Sequence, residues 1–245
     1  MKLVRNEKHI KRNKLVGNLL TFASLGVLGL GLYFAFKKDM SMVLYSYICL
    51  IIGFLLTQIG LNFVNRYGRS PRYDEILGTA FEKLRHDYTY YVYSTPLPML
   101  LLGPCRIWMP IPVTATGEIS FQDGKWVHKT KNRIQKMMGQ DTVGKPDKEV
   151  AEASAALTRF LTEKGIPADM HPELKPIMVV YLKETHLGDV SKAPYPVVGL
   201  EDLKRYIRRV DREACTDPIS PEAAARLQQA LANGLVESVT NGAEQ

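Results

Sequence analysis

LVGNLLTFASLGVLGLGLYFAF, residues 15–36, and MVLYSYICLIIGFLLTQIGLNFV, residues 42–64, decide how the rest of this chain is read. Neither run contains a charged side chain, and only Lys37, Lys38, Asp39, Met40 and Ser41 separate them. A helix rises about 1.5 Å per residue, so roughly 20 residues cross the ~30 Å hydrocarbon layer of a bilayer. Lipid offers no partner for backbone N–H and C=O groups, so each run must satisfy its own as a helix. The two runs therefore predict a transmembrane hairpin.

A secretory signal peptide fits poorly, because its apolar region spans about 7–15 residues and ends in small residues at a cleavage site. Buried core helices keep a polar side, whereas these runs are apolar all round apart from Asn18, Thr21, Ser24, Gln58 and Asn62. Lys2, Arg5, Lys8, Lys11, Arg12 and Lys14 precede the first run against a single Glu7, and Arg66, Arg69 and Arg72 follow the second. An excess of Lys and Arg marks the cytoplasmic end of a span. The expected topology is a multi-pass protein of the cell membrane with both termini cytoplasmic. Lys11, Arg12, Lys14, Arg66, Arg69 and Arg72 flank the bilayer, where they can meet anionic lipid head groups. Gly26, Gly29 and Gly31 would let the two helices approach closely.

The net charge of +7 over 245 residues invites a nucleic-acid reading, but the excess is local. Residues 1–64 hold eight basic and two acidic side chains, leaving twenty-four basic against twenty-three acidic in the remainder. The basic balance is thus a topology signal, and nucleic acid is not an expected partner. Cys49, Cys105 and Cys215 are scattered, with no Cys-x-x-Cys and no paired histidines, which argues against a zinc site or a disulfide framework and suits a reducing cytoplasm.

After a basic hinge at residues 65–72, Ile76, Leu77, Ala80, Phe81 and Leu84 predict a helix from Tyr73 to about His86-Asp87. Tyr88–Tyr93, Leu97–Leu102 and Arg106–Ile111 read as strands, and Pro96, Pro98, Pro104, Pro110 and Pro112 predict that these are irregular or at an edge. Asp123-Gly124 between two alternating runs predicts a hairpin. A helical turn is expected near Ile134–Met138. Pro146 opens a helix that Gly165 stops, Pro176–Leu182 reads as a buried strand, and Val197-Val198 as a short one. Helices follow at Leu200–Val210, with Lys204, Arg205, Arg208 and Arg209 outward, and from Ser220-Pro221-Glu222 to about Asn233-Gly234. A frayed tail is expected after Val239.

Helix, strands with a hairpin, helix, buried strand, helix: this order resembles the nuclease-related (NERD) domain, a branch of the restriction-endonuclease-like fold. The residues that carry the likeness are Asp74-Glu75-Ile76-Leu77, Leu100-Leu101-Leu102-Gly103-Pro104, Gly117-Glu118-Ile119, Gly124-Lys125-Trp126, Gly139-Gln140, Gly144-Lys145-Pro146, Leu157 with Phe160-Leu161, and Val179-Val180-Tyr181. They span about residues 73–210. The fold class implied is α/β with a mixed sheet. Residues 1–14 stand apart as a basic terminus, 15–64 as the hairpin, and 211–245 as a last helix and tail.

The resemblance implies an Asp just before Leu-Leu-Gly-Pro and a Glu-x-Lys on the next strand, holding a divalent metal that activates water. Here the first position falls at Leu97-Pro98, and the next strand, Arg106–Val113, holds no carboxylate and no lysine. The expectation is an interaction or scaffold module on the cytoplasmic face, with no catalytic residue, no cofactor and a protein partner the sequence does not name. The alternative is a magnesium-dependent nuclease with relocated carboxylates, using Glu118, Asp123 and Lys125. A solvated hairpin turn explains Asp123 and Lys125 equally well. Glu75 and Glu82 read as a solvated helix face, and His86, His128, His171 and His186 as surface or loop residues. Tyr88, Tyr90, Tyr91 and Tyr93 fit a half-buried strand better than a base-stacking platform.

Overall fold

In a computed structural model, residues 1–37, 40–82, 84–130 and 143–235 are described. The expected turn at residues 134–138, the Gly139-Gln140 match, part of the interhelical turn (Lys38, Asp39) and the tail after Val239 lie outside them. The chain forms two compact units: Asn6–Ile76, and Met1–Arg5 together with the chain from Leu77 onward.

The first unit is the hairpin. Helix α1 (Glu7–Ala35) is capped by Asn6, whose Oδ1 accepts a hydrogen bond from the His9 N–H at 2.9 Å. Helix α2 (Met40–Phe63) runs into one π-helical turn at Val64–Gly68. Both are long and apolar enough to cross a membrane. Their large apolar side chains point outward, with Leu19, Phe22, Leu44 and Ile51 each at least 60% exposed, the reverse of a core helix in a water-soluble protein. Lys8, Lys11, Arg12 and Lys14, before the first run, lie in the start of α1 itself.

Small residues form the seam between α1 and α2. A Cβ on Gly17 would stand 2.9 Å from Phe63 Cβ, one on Gly31 2.9 Å from Cys49 Cβ, one on Gly53 2.7 Å from the Leu28 side chain, and one on Gly60 3.0 Å from Thr21 Oγ1. Gly17, Thr21, Ser24, Leu28 and Gly31 thus recur at four-and-three spacing on one stripe, as in a coiled coil. Of the three glycines expected at this seam only Gly31 is there. Gly26 and Gly29 meet nothing within 4 Å.

The second unit is a six-stranded mixed sheet covered on both faces, plus a small three-stranded sheet. The order in the large sheet is β1 (Lys2–Arg5), β2 (Thr89–Val92), β3 (Met99–Leu102), β4 (Arg106–Val113), β7 (Glu173–Val180), β9 (Val197–Gly199). Pairs β1–β2, β4–β7 and β7–β9 are parallel, and β2–β3 and β3–β4 antiparallel. The small sheet is β6 (Lys125–Lys129), β5 (Gly117–Gln122), β8 (Thr185–Leu187). Its hairpin turn has Asp123 at φ 49° and Gly124 at φ 74°, the left-handed pair that matches strand twist in a two-residue loop. The helices are α3 (Tyr73–Phe81), α4 (Pro146–Glu163), α5 (Leu200–Ala214) and α6 (Pro221–Ala232).

One face of the large sheet is closed by carbon. Ile107, Met109 and Ile111 share an apolar cluster with Leu157, Phe160 and Leu161 of α4 and Leu227 and Leu231 of α6. Strand side chains alternate, so Arg106 and Trp108 project to the opposite face, where α5 lies.

Four expectations change or sharpen. Lys2–Arg5, within the basic terminus expected at residues 1–14, forms an edge strand of the sheet, because Leu3 and Val4 gain parallel pairing with Tyr90 and Tyr91. Helix α3 ends at Phe81, about a turn before His86, since Glu82 and Leu84 N–H groups bond back only three residues. Strand β4, rich in proline and expected to be irregular or at an edge, is fourth of six, with the irregularity on its β3 side. Its ladder to β3 covers only Ile107 and Trp108, so Pro110 and Pro112 fall beyond the last residues that need a donor on that side. Finally, Cys105 and Cys215 are joined as a disulfide, 110 residues apart, their Cα atoms 5.8 Å from each other. Such a separation has no spacing motif, which is why the sequence argued against it.

Candidate functional site

The most elaborate polar arrangement among the described residues lies where α5 crosses β4. Asp211 of α5 is 5% exposed, accepts two hydrogen bonds and stands in one ion pair. The Tyr88 hydroxyl donates to its Oδ2 at 2.6 Å, Trp108 Nε1–H donates to the same oxygen at 3.2 Å, and Arg106 Nε stands 3.4 Å from Oδ1. Arg106, itself 5% exposed, also donates to the Ala214 carbonyl at 2.9 Å and approaches Glu173 at 3.4 Å. Gly103 permits this closeness: a Cβ there would stand 3.0 Å from the Tyr88 ring and 3.3 Å from Asp211 Oδ2. The disulfide joins the residues just before Arg106 and just after Ala214, fixing strand to helix at the same point.

Burial and the Asp211 carboxylate push the Tyr88 hydroxyl far above the ordinary tyrosine range, so the phenol keeps its proton and its donor role. Above this floor opens a cavity of about 370 Å³. Arg85, Arg208 and Arg212 line it, with Asp87 and Asp211 as the acidic members. Lys204, Arg205 and Arg209 continue the basic ridge along α5.

The alternative catalytic residues lie in the small sheet and are not brought together. Glu118 pairs with Lys129 and His186 at one end of β5, while Asp123 sits in the turn at the other. Five residue steps along the strand separate them, about 17 Å. Lys125 pairs with Gln122 beside the turn. Glu118, Glu184, His186 and Lys129 line a separate open cleft. No group of three His, Cys, Asp or Glu side chains among the described residues is arranged to hold a metal ion. Tyr90 and Tyr91 are at most 1% exposed and so present no stacking platform.

Of the six cations expected to flank a membrane, Lys11, Arg12, Lys14, Arg66 and Arg69 are exposed. Arg12 and Arg66 come to one end of the hairpin around His9, whose pKa they and, first of all, its burial lower. Arg72 differs: it is ion-paired with Asp74 at 2.9 Å and Glu75 at 2.8 Å, and its N–H donates to Glu75 Oε2 at 3.0 Å, so it caps α3 rather than presenting a cation to lipid. The acidic first turn of α3 is the physical reason.

Sequence reading missed the cluster of Tyr88, Arg106, Trp108 and Asp211. The available signal was Asp211 on the apolar stripe of α5, in line with Leu203 and Ile207 where a carboxylate needs a buried partner. Compared with known protein families, curated proteins and solved structures, the chain gives no match.

Proposed function

We propose that this chain is a membrane-anchored binding module: a hairpin holding an α/β domain of the nuclease-related, restriction-endonuclease-like kind on the cytoplasmic face, without nuclease chemistry. The order α3, β2, β3, β4, α4, β7 supports the fold assignment. Outward-facing apolar side chains on α1 and α2 support membrane insertion. Strand β1 pairs with β2, so residues 2–5 and 89–92 share one side of the bilayer, which supports two crossings between them.

The observation that carries the inert reading is β4. Where the resemblance calls for Glu-x-Lys, Ile107, Met109 and Ile111 fill the apolar core, and Arg106 and Trp108 are engaged by Asp211. A metal that activates water for phosphodiester attack needs converging oxygen ligands, and neither face of this strand offers them. Full-length protein in lipid nanodiscs, given magnesium or manganese, is expected to leave single- and double-stranded DNA intact. Metal-dependent cleavage that disappears in Glu118→Ala or Asp123→Ala would overturn the reading and restore the relocated nuclease.

A further inference from the structure

We infer that Cys105 and Cys215 form a reversible redox site, closed by a small-molecule disulfide and opened by thiols, that latches α5 to β4. One cysteine stands just before β4 and the other just after α5. Both are half-buried, so a small thiol can reach the bond from water. Cys49, the third cysteine, lies within α2, where lipid keeps out a charged reagent.

The bond is not what brings the two segments together. Arg106, next to Cys105, donates to the carbonyl of Ala214, next to Cys215, at 2.9 Å. About one turn back on α5, the same guanidinium is ion-paired with Asp211 at 3.4 Å. On the other side of the bond the Ile219 N–H donates to the Pro104 carbonyl at 2.9 Å. These contacts flank both cysteines and involve no sulfur. With the bond open they hold the two Cα atoms near their 5.8 Å separation, inside the usual range for a disulfide. The thiols therefore stay within reach of each other. The fold has no need of a permanent staple either. Disulfides sustain small secreted domains whose cores are too slight, whereas a single apolar cluster here runs from Ile107 and Met109 to Leu161 and Leu231. What the bond adds lies at a crossing. Helix α5 covers the polar face of the sheet, α6 joins the apolar cluster on the other, and Cys215 opens the segment between them. Closure pins the chain where it passes from face to face; opening leaves both helices to their side-chain contacts alone.

Closure runs by thiol–disulfide exchange. The thiolate of one cysteine attacks glutathione disulfide, a protein–glutathione bond forms, and one glutathione leaves as its thiolate. The second cysteine gives up its proton and attacks the protein sulfur of that bond, and the second glutathione leaves. Two protein thiols are oxidised to one disulfide, and one glutathione disulfide is reduced to two thiols. In a reducing cytoplasm the pair stands open at rest and closes when the small-thiol pool is oxidised.

The inference rests on the binding-module reading for its compartment alone. The redox cycle is measured on purified protein and is blind to orientation and to DNA cleavage, so the two can fail separately. Full-length protein in phosphatidylcholine nanodiscs is reduced with dithiothreitol, freed of it, and given glutathione disulfide. Peptide mass spectrometry should find Cys105 joined to Cys215 with no glutathione retained there, and dithiothreitol should reverse this. Circular dichroism should be the same for both forms, while hydrogen exchange over residues 200–219 should slow roughly tenfold or more on closure. Cys215→Ser cannot close the ring, so it should keep one glutathione on Cys105 and exchange as fast as the reduced protein. A reduced pair that does not close again, a reduced protein that has lost its native spectrum, or exchange over residues 200–219 unchanged by closure would each overturn the inference.

Discussion

On one face of the central sheet, Ile107, Met109 and Ile111 meet α4 and α6 through carbon alone; on the other, Arg106 and Trp108 of the same strand meet a carboxylate of α5. The apolar face is additive and forgiving, because each methylene contributes by its burial and neighbours can shift to fill a gap. The polar face is conditional. Its four groups stabilise only as a complete set, since any one removed strands a buried charge or donor. The difference teaches where selection for something other than stability can be sought, because well-packed apolar residues would hold α5 at least as well.

The sharpest way to break the comparison is Asp211→Ala. It leaves Arg106 buried with only the exposed Glu173 beside it and should cost about 3–5 kcal/mol in chemical denaturation. Leu161→Ala on the apolar face, about 2–5 kcal/mol, calibrates it. The double change Arg106→Met with Asp211→Leu should recover most of the loss. Recovery is what separates a conditional network from an additive one, and its failure would mean that the two faces follow the same rule.

Next in size is the disulfide. Cys215→Ser releases a cross-link that closes more than a hundred residues, so the purified oxidised protein should lose about 2–4 kcal/mol. On a cytoplasmic face the pair should be found as two thiols in intact cells, readable by alkylation and mass spectrometry. A disulfide found in cells would put the domain on the oxidising side and defeat the charge-based orientation.

Smallest is Tyr88→Phe, which removes one donor to Asp211 and should cost about 1 kcal/mol near neutral pH. Here the sign of the pH dependence is fixed. Burial and Asp211 raise the phenol's pKa in the folded chain, so its stabilisation is whole below the unfolded value of about 10 and declines as pH rises beyond it. The gap between wild type and Tyr88→Phe, measured by thermal unfolding, should therefore narrow above pH ~10. A gap that widens would show that Tyr88 is not the proton-holding donor described.

Much of the framework was legible because it is written locally. The hairpin at Asp123-Gly124, the Pro146 start and Gly165 stop of α4, and the Ser220 cap of α6 each lie within a few residues of the element they define. Strands β1 and β8 were not legible. Lys2–Arg5 has one alternation and sits in a charge run that topology already explains, and Thr185–Leu187 is three residues long. The basic ridge of α5 could be read as charges but not as a site, because Arg85 joins it only through the fold. The cluster beneath was further out of reach, since Tyr88 and Asp211 stand 123 residues apart and no short window contains both.

Strand β1 also sets an order in time. It leaves the ribosome well before its partner, since Lys2 pairs with Thr89. At about 5–20 residues per second the partner follows on the order of 4–17 s later, after both apolar helices have been made. Both apolar helices are therefore complete before the sheet can close, and β1 waits for its partner. A fusion or export signal that carried those residues away during that interval would leave β2 with an open edge, the kind of surface on which neighbouring chains aggregate.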